Sequence, residues 1–536
     1  MAKKPKKTAA HRPATRGRAR RPKGKGTDSR CDVAPEIGTA AAASGAPEIL
    51  AWEDDPRSLG AQAVPYPVPD LASTTLPLAI DGSAPAASIH ALGTSDFRYW
   101  SAANALRRGA DFWAGSIPEG SKMWQRGQVL DVLLDAGVDL NAYYDRRTLS
   151  FFHDQVGSET VYSGESPDIV CHELGHAVLD AIRPELWAAA SDEAAAFHES
   201  FGDISAILSG LQIPALRTEV LRETAGQIYR NSRLSRIGEQ LGWALNQRRA
   251  DQASPDALRN ASNSFFYTDS IMLPPSGPDS QLTSQPHSFS RVFTGGFFDT
   301  LSGMFSILGE VPTEDNLLQA SHDAARLIVE AVLAAPIVPD YFSQVAAHMI
   351  EADSTLFAGK YREVIKSAFV RRGILSLQSA MQFPAAPPAD ANASAARAAA
   401  AAATDSDAPM GGAMASGAAS VGVIAKMTLQ GDAFGLAGKT LVVQTPVETK
   451  RLPARAAAVD MGSAPMPSVD RSTRAFLEVL FRRGRVEFRS ADAGGSQTTH
   501  SVIRKKKTHY LVDRKGDLHL ERRFFDCGFD CGCTWP

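Results

Sequence analysis

Ile169-Val170-Cys171-His172-Glu173-Leu174-Gly175-His176-Ala177-Val178-Leu179 is the run from which the rest of the chain is best read. On a helix, residues four apart lie about 40° apart around the axis, so His172 and His176 present ring nitrogens to one point. Glu173 points sideways from that pair, placed to touch a metal-bound water rather than the metal, as a general base must. Zinc favours imidazole and carboxylate ligands, and a catalytic zinc keeps one position for water. The flanking Ile169, Val170, Ala177, Val178 and Leu179 are apolar, so the helix runs through a core. Two unpaired histidines would be costly to bury there. A metal pair is therefore expected over a surface helix with two solvated rings.

A third ligand is needed. Phe197-His198-Glu199-Ser200-Phe201-Gly202-Asp203-Ile204 forms a second amphipathic stretch, and Glu199 follows His176 by 23 residues, enough for the rest of one helix, a turn and a return. Asp203 lies one turn beyond Glu199, where it could accept the outer N–H of a liganding histidine and fix its tautomer. Glu193 and His198 compete for the ligand position. His198 points about 100° away if Glu199 faces the metal, which suits it to packing or support.

Working outward, Phe97, Trp100, Ala103 and Leu106 recur at helical spacing, with Phe112 and Trp113 beyond. Leu140-Asn141-Ala142-Tyr143-Tyr144 and Thr148-Leu149-Ser150-Phe151-Phe152 read as two strands around a turn at Asp145-Arg146-Arg147. Residues 168–382 are dominated by helical patterns. Low-complexity composition marks residues 1–90, basic and then Pro/Ala-rich, as a disordered tail. Residues 384–422 read as an Ala/Pro/Gly linker. Strand-like runs at 439–444, 485–489 and 510–512 predict a small β-rich domain over 423–536 with a Cys-rich end. The expected fold class is α+β, with a metal-binding domain over 91–383.

The 536 residues exceed one ordinary domain. The net charge of −3 hides an asymmetry: residues 1–26 hold 11 Lys/Arg and no acid, leaving 45 basic against 59 acidic side chains elsewhere. Such a tail could contact nucleic acid, although a solvated tail is the favoured reading. Five cysteines exclude a dense disulfide framework and suit a reducing compartment. No run is long and apolar enough to span a membrane, and no apolar segment of a secretory signal follows the basic residues. A cytoplasmic location is the expectation.

The site residues resemble those of the thermolysin family of zinc metallopeptidases, the gluzincins. Asn141-Ala142-Tyr143-Tyr144 is similar to that family's edge strand, which pairs with the substrate backbone. Ser166-Pro167-Asp168-Ile169-Val170-Cys171 leads into the motif as the family's segment does, and the HExxH run matches nearly residue for residue. His198-Glu199-Ser200-Phe201-Gly202-Asp203 resembles the segment that supplies the third ligand. The resemblance, covering about residues 85–380, implies a β-rich lobe with an edge strand followed by a mainly helical lobe. It implies a Zn2+ cofactor held by His172, His176 and Glu199, with Glu173 as general base and a peptide or protein as substrate. Ala257-Leu258-Arg259-Asn260 and Pro286-His287-Ser288-Phe289-Ser290 resemble the segments whose arginine binds the substrate carbonyl and whose histidine stabilises the transition state. Trp187 stands where the family has an oxyanion-donating tyrosine, and its indole N–H could donate to the oxyanion instead. Gly210 takes the place of an acidic calcium ligand, so the family's double calcium site is expected to be absent although Asp168 keeps one ligand.

Cys527-Gly528-Phe529-Asp530-Cys531-Gly532-Cys533 could bind a metal with His509 or His519, or be free thiols at a frayed end. Arg504-Lys505-Lys506-Lys507 reads as an exposed edge or turn. Cys171 reads as a small buried hydrophobe. No self-cleavage site is assigned. The rival to an active peptidase is a metallopeptidase-like body kept for binding or assembly.

Overall fold

The computed structural model of the protein describes residues 47–383, 424–449, 451–452, 468–489 and 507–527, all within one unit, Pro47–Pro536. The basic residues 1–26, the linker 384–422, Cys531 and Cys533 lie outside the described residues.

The first described segment corrects the expected tail. Strand β1 (Glu48–Trp52) pairs antiparallel with β2 (Ala63–Pro67), and Ile49 and Ala51 are fully buried. Pro65 and Pro67 remove ladder donors, which confines β2 to an edge of this two-stranded sheet. The proline-rich composition of 47–90 thus marks edge strands and turns. Strand β3 (Leu78–Ile80) follows, buried through Leu78 and Ile80. Helix α1 (Ser95–Ala114) starts where the Thr94 hydroxyl accepts the Phe97 N–H and buries Phe97, Trp100, Ala103, Leu106 and Trp113.

Strands β4 (Leu130–Leu133), β5 (Ala142–Tyr144) and β6 (Thr148–Phe151) extend the sheet, with β3–β4 and β4–β6 parallel and β5–β6 antiparallel. The β5–β6 turn falls at Asp145-Arg146-Arg147 as anticipated. The Asp145 carboxylate accepts the Arg147 and Thr148 N–H groups at 3.0 and 2.8 Å, and Arg146 takes a φ of 75°. A hairpin of β7 (His153–Val156) and β8 (Glu159–Tyr162) leads into α2 (Pro167–Ile182).

The HExxH run lies in α2, and α3 (Asp192–Gly210) packs tightly on it. Two glycines permit the approach. A Cβ on Gly175 would sit 2.6 Å from the Ser205 Cβ, and one on Gly202 would sit 2.6 Å from the His172 ring. The helical region continues through α4 (Pro214–Thr224), α5 (Glu239–Arg248), α6 (Pro286–Leu308), α7 (Glu314–Ala334), α8 (Tyr341–Leu356), α9 (Arg362–Arg371) and α10 (Leu377–Gln382). A short pair, β9 (Arg236–Ile237) and β10 (Arg259–Asn260), holds Arg259 in place.

The C-terminal strands form a sheet in the order β11 (Ala425–Gln430), β12 (Thr440–Thr445), β15 (Asp517–Arg522), β14 (His509–Arg514), β13 (Val486–Arg489). It carries a helix the strand-like reading did not anticipate, α11 (Val469–Arg482), which buries Val469, Thr473, Phe476, Leu477 and Leu480. This region docks on the helical part: Ala190 N–H donates to the Gln444 carbonyl at 2.8 Å, and Arg451 pairs with Asp340 at 2.7 Å. Strand β16 (Phe525–Asp526) then leaves this sheet and joins the first one beside β5. The fold is mixed α and β, with several small sheets.

Candidate metal centre

Helix α2 presents His172 and His176 from successive turns, and α3 presents Glu199 opposite them. The two rings are fully buried and Glu199 is 1% exposed. His172 Nε2 lies 3.5 Å from Glu199 Oε2, and His176 Nε2 lies 3.9 Å from Glu199 Oε1. Donor atoms of all three lie within 4.8 Å of one another, and among the described residues this is the one such group of His, Cys, Asp or Glu. His176 Nε2 and Glu199 Oε2 are sealed from solvent without a hydrogen bond of ordinary geometry. Buried polar atoms left in this way cost about 1–3 kcal/mol each. A shared cation would satisfy both, so the donor set fits a metal ion of the kind imidazole and carboxylate bind.

The surrounding charges act on the two rings in opposite directions. Asp203 Oδ1 lies 3.1 Å from His172 Nδ1 and 2.7 Å from the Arg259 guanidinium. Burial and the Arg259 cation work against a protonated His172. The Asp203 and Glu199 carboxylates outweigh them and raise its pKa to about 9. Burial pushes Asp203 up, but Arg259 and His172 overcome this and bring it down to about 2. Burial drives His176 well below the ordinary histidine range, with the His172 charge adding to it.

Glu173 shares the helix but stands outside the ligand group. It is fully buried, and burial raises its carboxyl to about 8 against the lowering effect of His172. The Cys527 thiol lies beside it as a weak donor that offsets part of the burial.

Of the other residues singled out from sequence, Asp203 is brought to His172 as expected. Arg259 lies in the same cluster, with Nε and Nη2 on Asp203 at 2.9 and 2.7 Å. His287, at the first turn of α6, lies with Nε2 3.4 Å from Glu199 Oε2 and donates to the Asp526 carbonyl. Asn141 turns its side-chain oxygen to the Ala142 N–H at 2.9 Å, and the Ala142 carbonyl accepts the Cys527 N–H at 3.0 Å. Trp187 contributes its ring, edge-on to Tyr144, and its carbonyl, which accepts from Arg522 Nε at 2.9 Å.

Both competing ligands are engaged elsewhere. Glu193 accepts from the Tyr267 hydroxyl and from the Phe342 N–H at 2.7 Å. His198 turns Nδ1 toward His176 Nδ1 at 3.4 Å, a supporting position. Asp168 accepts the Gly238 N–H at 3.1 Å and joins no metal-type group among the described residues. Cys527 sits beside Glu173; the proposed terminal cluster also needs Cys531 and Cys533, which lie outside the described residues. Cys171 is buried, as expected of a small hydrophobe.

The sequence reading missed residues 522–527 as part of this site. Phe525 stacks on His198 with centroids 3.9 Å apart, and its ring lies 5.2 Å from that of His176. Arg522 lies over the Phe525 ring at 4.1 Å. The pairing of Phe525 and Asp526 with Tyr144 and Tyr143 bridges some 380 positions. Two residues of strand carry no periodic signal. The cavity left beside them, lined by Glu199, His287, Phe525 and Asp526, holds about 60 Å3.

No protein-family model matches the chain, and no curated protein matches its sequence.

Proposed function

We propose that this chain is a zinc-dependent peptide hydrolase of the thermolysin-like, gluzincin kind, with His172, His176 and Glu199 as ligands and Glu173 as general base. One observation carries the proposal: two imidazoles and a carboxylate from different helices converge within 4.8 Å, with a second carboxylate beside them that belongs to no ligand group. Bound there, a zinc ion would polarise a scissile carbonyl and lower the pKa of its water toward about 7. Glu173 takes the proton of the attacking water and passes it to the leaving amine. His287, which already donates to a backbone carbonyl, donates to the developing oxyanion, an interaction typically worth about 3–4 kcal/mol. Strand β5 aligns the substrate as an added antiparallel strand, and the Ala142 carbonyl receives a peptide N–H. Asp203 orients His172, and Arg259 holds Asp203 ionised. Arg259 thus supports the site through Asp203, besides the substrate contact that the resemblance implies.

The test is metal content together with cleavage of a quenched peptide library by the zinc-loaded chain. It is run in the wild type and in Phe525→Glu, because Phe525 covers the site. Glu173→Gln accompanies each background. Cleavage in at least one background that disappears with Glu173→Gln, while zinc is retained, supports the proposal. Bound zinc without cleavage in either background overturns it in favour of a binding or assembly role, a reading that the complete burial of the ligands favours.

A further inference from the structure

Residues 524–527 lie along β5 in the manner of a bound peptide. The two residues of β16 pair antiparallel with Tyr143 and Tyr144, and the next N–H, of Cys527, donates to the Ala142 carbonyl at 3.0 Å. The carbonyl of the same peptide bond, that of Asp526, accepts from His287 Nε2. Both ends of the Asp526–Cys527 peptide are therefore gripped, one by the edge strand and one by the histidine beside Glu199. The flanking side chains fill shaped positions. Phe524 stacks on Tyr143 at 4.9 Å, and Phe525 packs on His198 and His176 and edge-on to Trp187 at 5.3 Å.

We propose that the resident ligand of this cleft is the chain's own segment Arg522-Arg523-Phe524-Phe525-Asp526-Cys527. It is seated as a peptide substrate with the Asp526–Cys527 bond at the reaction position, and it closes the site to outside peptides. Two facts bear this out. His172, His176 and Glu173 are fully buried, so nothing of peptide size reaches them while the segment stays. The cavity that reaches Glu199 beside the segment keeps about 60 Å3, far below the roughly 300–1,000 Å3 of ordinary ligand pockets. The larger cavity of about 400 Å3 beside His287 and Arg259 is lined by neither Glu173 nor any of the three ligand residues. The chemistry of the seat also defines the class of peptide it takes: an aromatic residue before the one whose carbonyl faces His287, with a second aromatic ahead of it on Tyr143. Covalent attachment acts in the same direction, because a tethered segment competes at an effective concentration of about millimolar for short connections. What the bond's position means rests on the peptidase reading; the occupancy of the groove does not.

The test reads occupancy without catalysis. A fluorescein-labelled hexapeptide of sequence Arg-Arg-Phe-Phe-Asp-Cys is titrated, by anisotropy, into the full-length chain and two full-length variants. Phe525→Glu places a charge against the histidine rings. Cys527→Pro removes the N–H that Ala142 accepts, leaving Phe525 intact. Near-native circular dichroism is required of each variant used, and one suffices. Binding to the variant at a concentration at least about tenfold below any binding to the wild type is expected, with unlabelled hexapeptide displacing the probe. Equal binding to wild type and variant, or none to either, overturns the proposal. Because zinc content and library cleavage are measured separately, an inactive protein that passes this test would remove the hydrolase reading and leave the occupant in place.

Discussion

The centre has a near half and a far half. The near half is α2 and α3, where three ligand side chains lie within 28 residues of sequence and converge because Gly175 and Gly202 let the helices touch. The far half is β5, His287 and residues 522–527, brought together across the length of the chain by one strand pairing and one histidine contact. The near half is built from local periodicity and brings together a group that could hold a cation; the far half is built from tertiary contacts and, on the proposal above, governs access. Substitutions of His172, His176 or Glu199 in the first should therefore change metal content, and substitutions in the second should change access while leaving the metal in place.

The largest contrast is expected for His176→Ala. Zinc measured by mass spectrometry should fall from about one per chain to near zero, while Phe525→Glu keeps its zinc. Equal loss in both would erase the distinction. Glu173→Gln should retain zinc and lower the rate of peptide cleavage by about 10²–10⁴, the usual weight of a general base. Asp203→Asn withdraws the carboxylate from His172 Nδ1 and should weaken zinc binding in a competition titration by about 10–100-fold. Gly202→Ala drives a methyl group into the His172 ring and should cost about 1–3 kcal/mol in denaturant unfolding, with a smaller loss of zinc affinity.

The smallest effect lies at the edge of the near half. Burial raises the Asp192 carboxyl from 3.8 to about 7. Between those values the unfolded chain has released its proton and the folded chain has kept it. This contribution to stability is therefore present below about pH 4, declines as the pH rises, and is lost above about pH 7. Asp192→Asn should gain on the wild type progressively as the pH rises from about 4 to about 7, with little difference near pH 4. A pH-independent gap between the two unfolding curves would contradict the burial assignment.

The same division explains what was legible in the sequence. His172, Glu173 and His176 are readable because a helix converts spacing into direction, and Glu199 because a second apolar pattern places it one helical return away. The β5–β6 hairpin is readable from its alternating side chains and from Asp145, whose carboxylate caps the turn. Residues 47–90 were misread because proline content signals loss of a donor, which disorder and an edge strand share. Helix α11 was overlooked although Val469, Thr473, Phe476, Leu477 and Leu480 keep helical spacing; the neighbouring strand-like runs dominated the composition. Phe525 and Asp526 could not be read at all, since their partner is chosen by where the sheet edge lies in space. Arg259 was placed in the site for a substrate contact, whereas its observed partner is Asp203, a contact that depends on the β9–β10 pairing.

X-ray absorption at the zinc edge of the loaded full-length chain tests the central claim most directly, since it reports the ligand atoms themselves. Nitrogen and oxygen neighbours at about 2.0–2.2 Å, with the outer-shell pattern of two imidazoles and no sulfur, are the expected result. A sulfur shell at about 2.3 Å, or imidazole features that persist unchanged in His176→Ala, would contradict the assignment of His172, His176 and Glu199 as the metal's seat.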